Sequence, residues 1–185
     1  MLGLHPRGQA ALETSESLLP SVRSAREEEF FQLDGYEVTN MMANTASVQF
    51  TVDVTPENAV HHLNNLGASL PEFLLHYRQD KLWKRYVRES KAGYRPDRYG
   101  GPVRFDSLHD YCGQLARHRV ISSGRLVAYE EATDFDPHQF IKSIWWYFRL
   151  KRYGDQLCIE IRPQERRSDE SFGEQLEFAL AAMEA

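Results

Sequence analysis

The chain has 185 residues, a length typical of one folded domain. Apolar residues make up 42% of the sequence and charged residues 26%, which excludes the disordered and fibrous classes. The formal net charge of −5 argues against a general nucleic-acid binder.

Targeting patterns and cysteine content indicate the cellular compartment. No apolar run approaches the ~20 residues that span a bilayer, and the N-terminal residues lack a basic-then-apolar signal pattern, so neither membrane insertion nor secretion is expected. Two cysteines, Cys112 and Cys158, are too few for a disulfide framework or a zinc quartet. They indicate reduced thiols in a cytoplasmic protein.

The first residues differ from the rest of the chain. Residues 1–29 contain prolines, small residues and few large hydrophobic side chains, with neither helical nor strand periodicity. They are predicted to be a mobile N-terminal segment, and residues 30–185 are predicted to form a single domain.

The first regular element is a strand at residues 46–54, where valine and phenylalanine alternate with polar residues. Thr55 and Pro56 then predict a helix start, and Gly67 predicts its end. Ser69 and the Leu-Pro-Glu sequence after it predict a second helix that ends before residue 93.

The middle of the chain predicts shorter elements. Glycines and prolines make 93–104 a loop, and 107–118 a short helix. Strands at 119–122 and 125–130 form a hairpin candidate around a Ser-Gly pair. Residues 132–138 form a polar connection.

The stretch from 144 to 162 predicts a second hairpin, with aromatic and β-branched residues, a turn at 152–155 and clean alternation after it. Pro163 is expected to end the second strand. A final helix is expected from about Ser168. The predicted fold class is α+β, an antiparallel sheet that is apolar on one side and covered there by helices.

The other side of the predicted sheet, called the polar face below, carries the candidate chemistry. Carboxylates on such a face can bind a metal, and guanidinium groups can hold phosphate or carboxylate. The alternative is that this face simply contacts solvent, as half of most antiparallel sheets do. Its predicted members are Ser47, Gln49, Thr51, Asp53, Trp145, Tyr147, Arg149, Cys158, Glu160 and Arg162.

Two blocks resemble the type 2 glutamate–cysteine ligase and carboxylate–amine ligase family. The first is MMANTASVQ at 41–49, and the second is IWWYFRL at 144–150 with YG at 153–154 and IEIR at 159–162. LGLHP at 2–6 is similar to a stretch that lies upstream of the first block in that family. The similarity is weak between about residues 88 and 135.

The resemblance implies an ATP-dependent ligase on half of a glutamine-synthetase-like fold, and a role in glutathione biosynthesis. Such enzymes convert a carboxylate to an acyl phosphate, which the amine of a second substrate attacks, with magnesium bridging the phosphates. The implied assignments are Glu160 as magnesium ligand, Arg149 and Arg162 as catalytic arginines, Gln49, Arg162 and Trp145 as nucleotide contacts, and Arg78 as a contact of the amino-acid substrate.

The match covers only the C-terminal half of the family's pattern. Family members have an earlier glutamate-rich strand that supplies further magnesium ligands, so the chain is expected to act as a truncated copy, as a homo-oligomer or with a complementing ligase half. A non-catalytic binding protein on the same scaffold is the main alternative. A nucleic-acid-binding module is a third, because residues 78–104 hold nine Lys or Arg against three Asp or Glu among several aromatics.

Overall fold

The structure, a computed structural model, describes residues 47–76, 99–122, 125–132, 141, 144–165 and 171–185. Several predictions lie outside these ranges. They are the mobile segment, most of the second helix with Arg78, most of the basic stretch, the polar connection after Ala132 and the proposed cap at Ser168.

The described elements form an α+β fold, as predicted. The helices are α1 (Ala59–Ala68), α2 (Leu70–His76), α3 (Leu108–Ala116) and α4 (Phe172–Glu184), with one 3₁₀ turn at Tyr129–Glu131. The strands are β1 (Ser47–Val54), β2 (Tyr99–Gly100), β3 (Val120–Ser122), β4 (Arg125–Val127), β5 (Trp145–Trp146), β6 (Phe148–Tyr153) and β7 (Gln156–Glu165).

The main sheet is antiparallel, with β7 between β1 and β6. The predicted faces of the 144–162 hairpin are confirmed from Phe148 onwards, because Leu150 pairs with Ile159 and Arg149 pairs with Glu160. Trp145 and Trp146, predicted in the same strand, instead form β5, which pairs with β2. Gly154, at φ +60°, begins the two-residue turn, a backbone conformation that glycine adopts without strain.

The inner face of this sheet is the core of the described fold. Helix α1 contacts β6, helix α2 contacts β7, and α1 also packs against α4. The Phe73 ring of α2 lies 5.4 Å from that of Phe148 and 4.7 Å from that of Phe178, so it joins the sheet to α4. The buried side chains of the inner face are Val48, Phe50, Phe148, Leu150, Ile159 and Ile161.

Strand β7 continues through Pro163, which the sequence predicted to end it. The register shifts by one residue between Val48 and Phe50 of β1, so Arg162 and Pro163 together lie opposite Gln49. This is a β-bulge, a place where a strand tolerates a proline because the ladder hydrogen bond is already interrupted.

Helix α1 also differs from its prediction. It begins at Ala59, after a turn in which the Asn58 side chain accepts a hydrogen bond from Thr55 N at 2.8 Å. Gly67, the expected stop, lies inside the helix and is buried. A Cβ at this position would stand 1.9 Å from the Val103 carbonyl oxygen, so the glycine permits a close backbone approach.

The same helix holds the segment around Phe105. The Asn64 amide donates to Phe105 O at 2.9 Å and its Oδ1 accepts from Phe105 N at 2.8 Å, so one side chain satisfies both backbone groups. The region predicted as a loop therefore contains ordered backbone, and its strand β2 pairs in parallel with β5.

A second group of rings surrounds Trp146, which is 1% exposed. The rings of Tyr111 and His118 each lie 5.5 Å from it, and that of Phe105 lies 5.9 Å away. The Tyr111 hydroxyl accepts a hydrogen bond from Leu150 N at 2.9 Å. Helix α3 thereby satisfies a backbone donor on the outer edge of β6.

Candidate functional site on the polar face

Residues of the polar face lie on three adjacent strands. Thr51 pairs with Glu160, and Glu160 pairs with Arg149 on its other side. Gln49 lies opposite the bulge that contains Arg162. The strand register therefore brings Gln49, Arg149, Glu160 and Arg162 to one side of one sheet, as the sequence predicted.

The Glu160 cluster, formed by Glu160, Arg149, Lys151 and Tyr153, occupies the centre of this face. Oε2 of Glu160 accepts from Arg149 Nε at 2.6 Å, and Oε1 accepts from Lys151 Nζ and from the Tyr153 hydroxyl, each at 2.9 Å. The Glu160 side chain is only 6% exposed. The carboxylate is therefore buried, paired and hydrogen-bonded on both oxygens, in contrast to the expectation of a solvated face.

The electrostatics of Glu160 follow from these contacts. Burial alone would raise the pKa of this carboxyl group, but the Arg149 charge and the three hydrogen bonds outweigh it. They lower the pKa of Glu160 to about 2, so the group is ionised at neutral pH. Lys151 keeps its charge too, because its hydrogen bonds to Tyr153 and Glu160 outweigh the effect of burial and raise its pKa.

Arg149 is held by backbone as well as by Glu160. Its Nη1 donates to Ile141 O at 2.5 Å and to Ile144 O at 3.1 Å. The guanidinium thus ties the chain before β5 to the centre of the sheet. These contacts fix the position of Arg149, and Arg149 in turn orients the Glu160 carboxylate.

Arg162 differs from Arg149 in having buried donors without partners. Neither Nε nor Nη1 of Arg162 has a hydrogen-bond partner in the part of the chain that the structure describes. Burial, together with the Arg149 charge, lowers the pKa of Arg162 to about 10, which still leaves it charged at neutral pH. Buried guanidinium donors without partners are costly, and an anion that reached them would satisfy them.

The aromatic residues expected above this face are placed differently. Tyr147 is 7% exposed, and Gly100 lies against its ring. Trp145 is half-buried in β5, where its backbone pairs with Tyr99 of β2. Tyr147, predicted on the polar face, is therefore buried against Gly100.

Gln49 and Arg78 complete the predicted set. The Gln49 side chain is exposed, and its amide donates to Ser47 Oγ at 3.3 Å. Arg78 lies outside the described residues, as does most of the basic stretch at 78–104. The substrate and nucleic-acid roles assigned to those residues stay predictions.

Lys151 and Tyr153 are members of the cluster that sequence reasoning missed. Both follow Arg149 at alternate positions along β6, so period-2 alternation places all three on the same face. The signal was present in the sequence. The family-like blocks pass over Lys151, which lies between Leu150 and Tyr153, and they include Tyr153 only as part of the turn.

Magnesium does not fit the described contacts of Glu160. A carboxylate offers about four lone-pair sites, and three are taken by protein donors. A magnesium ion ~2.1 Å from Oε1 would stand within about 5 Å of the Lys151 ammonium, which is 2.9 Å from the same oxygen. Among the described residues, no group of three His, Cys, Asp or Glu side chains is arranged to hold a metal ion.

Cys158 and Asp53 form a separate pair on the same face. Cys158 Sγ donates to Asp53 Oδ1 at 3.1 Å, and the cysteine is 2% exposed. Burial, followed by the hydrogen bond to Asp53 and its charge, raises the pKa of the Cys158 thiol to about 11. The thiol is therefore protonated and poorly nucleophilic at neutral pH.

The two cysteines are expected to react at different rates. Cys112 is exposed on α3, whereas Cys158 is buried and bonded to Asp53. Alkylation with iodoacetamide at pH 7.5, followed by mass spectrometry, is expected to label Cys112 at least 10-fold faster in the native protein. In denaturant both should be labelled, and equal rates in the native protein would contradict this placement.

Comparisons with known proteins assign neither a family nor a function to the chain. A scan against protein-family models, a search of curated proteins and a search of solved structures each returned no match. Among the described residues, no helix is both long and apolar enough to cross a membrane. The functional argument therefore rests on the polar face and on the family-like blocks.

Proposed function

We propose that this chain is an ATP-dependent carboxylate–amine ligase of the glutamate–cysteine ligase type, and that its polar face holds anionic groups of the reactants. The observation that carries the proposal is the buried Arg162 guanidinium, whose Nε and Nη1 have no partner among the described residues. The family-like blocks at 41–49 and 144–162 give the reaction class.

The charge balance of the hairpin supports an anionic ligand. Between positions 149 and 162 the polar face carries three cations, Arg149, Lys151 and Arg162, and the single carboxylate of Glu160. Glu160 neutralises Arg149 and Lys151 in part, and Arg162 is left in excess. A carboxylate or a phosphate bound there would complete the pairing.

The residues have distinct tasks in the proposed reaction. Arg162 binds the negative charge that develops as a phosphoryl group passes to the substrate carboxylate, since such transfers depend on positioning and electrostatics. Arg149 and Lys151 hold Glu160 and so fix the shape of the site. ATP supplies the phosphoryl group, and the described contacts of Glu160 leave its carboxylate to the protein cations.

The proposal includes a cytoplasmic location, in keeping with two free cysteines, and a partner chain or second copy that adds further polar groups. A non-catalytic binding protein on the same scaffold is the second candidate. The contacts of Glu160 favour it, because protein donors already take three of the lone-pair sites of that carboxylate.

Replacing Arg162 with methionine tests the proposed site. The variant is expected to bind ATP about 10- to 100-fold more weakly in calorimetry, because a charged hydrogen bond contributes about 1.5–3 kcal/mol. Its stability should equal or exceed that of the wild type, since a desolvated and unpartnered guanidinium is removed. Lost binding without lost stability is the result expected of a binding residue.

Arg152→Met is the matched control. Arg152 lies at the end of β6 and bonds to the exposed Asp155 in the turn, so its loss should leave ATP affinity unchanged. Equal ATP affinity in the wild type and Arg162→Met would overturn the site. ADP release with glutamate plus cysteine separates the two candidates, because only the ligase turns over.

A further inference from the structure

Two protein cations stand where the family resemblance expects a metal. Arg149 Nε approaches one oxygen of Glu160 at 2.6 Å, and Lys151 Nζ approaches the other at 2.9 Å. Both pairs are largely withdrawn from water, with side chains 12%, 27% and 6% exposed for Arg149, Lys151 and Glu160. Together they supply two positive charges, the charge of one divalent ion.

We propose that the Lys151 ammonium, together with Arg149, takes the place of a divalent cation at Glu160, so that the polar face binds its phosphate-bearing ligand as a metal-free anion. The inference rests on the proposed function for the identity of that ligand as ATP. It departs from the family expectation at one point only, the source of positive charge beside the phosphates.

The placement of Lys151 suits this role. Tyr153 accompanies it, with the Lys151 Nζ 4.5 Å from the centre of the Tyr153 ring and the Tyr153 hydroxyl on the same Glu160 oxygen. The ring and the carboxylate fix the ammonium on one side. An ammonium has three N–H donors, and the contacts of Lys151 with Glu160 and Tyr153 leave one donor for a ligand.

Position along the sheet also links Lys151 to Arg162. Arg149 faces Glu160 across the hairpin, and Arg162 N donates to Tyr147 O at 2.9 Å one step further along. Strand residues rise about 3.4 Å each, so the Lys151 and Arg149 positions on β6 lie roughly 7 Å apart, and Arg162 lies on the neighbouring strand β7. The three cations therefore share one face of the hairpin.

The test measures binding of inorganic tripolyphosphate and of ATP by calorimetry, in EDTA and again with excess Mg²⁺. Wild-type protein is expected to bind tripolyphosphate in EDTA, with affinity for ATP no more than 3-fold weaker than with Mg²⁺. Lys151→Met should weaken metal-free binding at least 10-fold. Lys151→Arg should retain it within about 3-fold, and Arg152→Met, an exposed cation next along the strand, should not change it.

A metal-only measurement makes the test independent of turnover. Mn²⁺ is titrated into wild type and Glu160→Gln, and loss of the free-ion electron paramagnetic resonance signal reports binding. The two proteins are expected to give the same titration. Mn²⁺ binding that Glu160→Gln abolishes would overturn the inference, as would unchanged metal-free binding in Lys151→Met.

The outcomes separate the two proposals. Binding of ATP that requires Mg²⁺ overturns the inference and leaves the ligase proposal standing. Metal-free tripolyphosphate binding that depends on Lys151, without ATP binding or ADP release, supports the inference and rejects the ligase. Absence of binding by both anions under both conditions overturns both.

Discussion

Replacing Arg149 with methionine is expected to lower the free energy of unfolding by about 3–5 kcal/mol, the range seen when one partner of a buried ion pair is removed. The change leaves the Glu160 carboxylate, 6% exposed, with a single cationic partner in Lys151. It also removes the donors to Ile141 O and Ile144 O. Urea denaturation followed by circular dichroism measures the effect.

Arg152→Met provides the comparison for that experiment. Arg152 pairs with Asp155, but the two side chains are 70% and 103% exposed. An exposed pair of this kind contributes about 0–1 kcal/mol. Similar losses in the two variants would show that Arg149 is not buried in the way described.

Stability is expected to fall steeply in acid because of Glu160. Its pKa is lowered to about 2 in the folded chain, against 4.5 as the ordinary value. Above about pH 5 the carboxylate is ionised in both states, and its full stabilisation is present. As the pH falls towards 2 the unfolded chain takes up the proton first, so about 3 kcal/mol is lost over this interval.

The measurement is a series of urea midpoints between pH 6 and pH 2. Glu160→Gln is expected to flatten the dependence, because the amide does not titrate, although the variant begins from a lower stability. Glu72→Gln removes an exposed carboxyl of α2 and should keep the wild-type slope. A wild-type slope in Glu160→Gln would contradict the assignment of the acid sensitivity.

Strand alternation made the main sheet predictable. In both strands apolar residues occupy every second position, at 48, 50, 52 and 54 in β1 and at 157, 159 and 161 in β7. A one-residue slip in the pairing would therefore expose the whole apolar face. The turn at Gly154 then fixed the pairing of β6 with β7. The register that places Arg149 beside Glu160 follows from these two facts.

Helix boundaries and long-range contacts were harder to foresee. Gly67 reads locally as a helix stop, and only the approach of Val103, far along the chain, explains a glycine inside α1. In the same way, Asn64 binds the backbone of Phe105, and Tyr111 binds Leu150 N. None of these contacts leaves a periodic pattern in the sequence.

In the candidate site, too, the strand positions were predictable and the long-range contacts were not. Glu160, Arg162 and Gln49 were located from alternation and from the family-like blocks, and the structure brings them to one face. Which arginine has unpartnered buried donors depends on the carbonyl groups of Ile141 and Ile144, which accept from Arg149 Nη1. Backbone acceptors of this kind are supplied by tertiary structure and cannot be read from side-chain identity.

The bulge at Arg162 and Pro163 divides β7 into two parts, in which even-numbered residues face opposite sides of the sheet. Up to Arg162 the even-numbered residues of β7 lie on the polar face, and in an unbroken alternation Gln164 would follow them there. The shift instead turns Gln164 inwards, where its amide donates to Gln175 O of α4 at 3.1 Å. Deleting Pro163 would remove the bulge and leave Gln164 opposite Val48, so the extra residue is what lets two even-numbered residues of one strand face opposite sides.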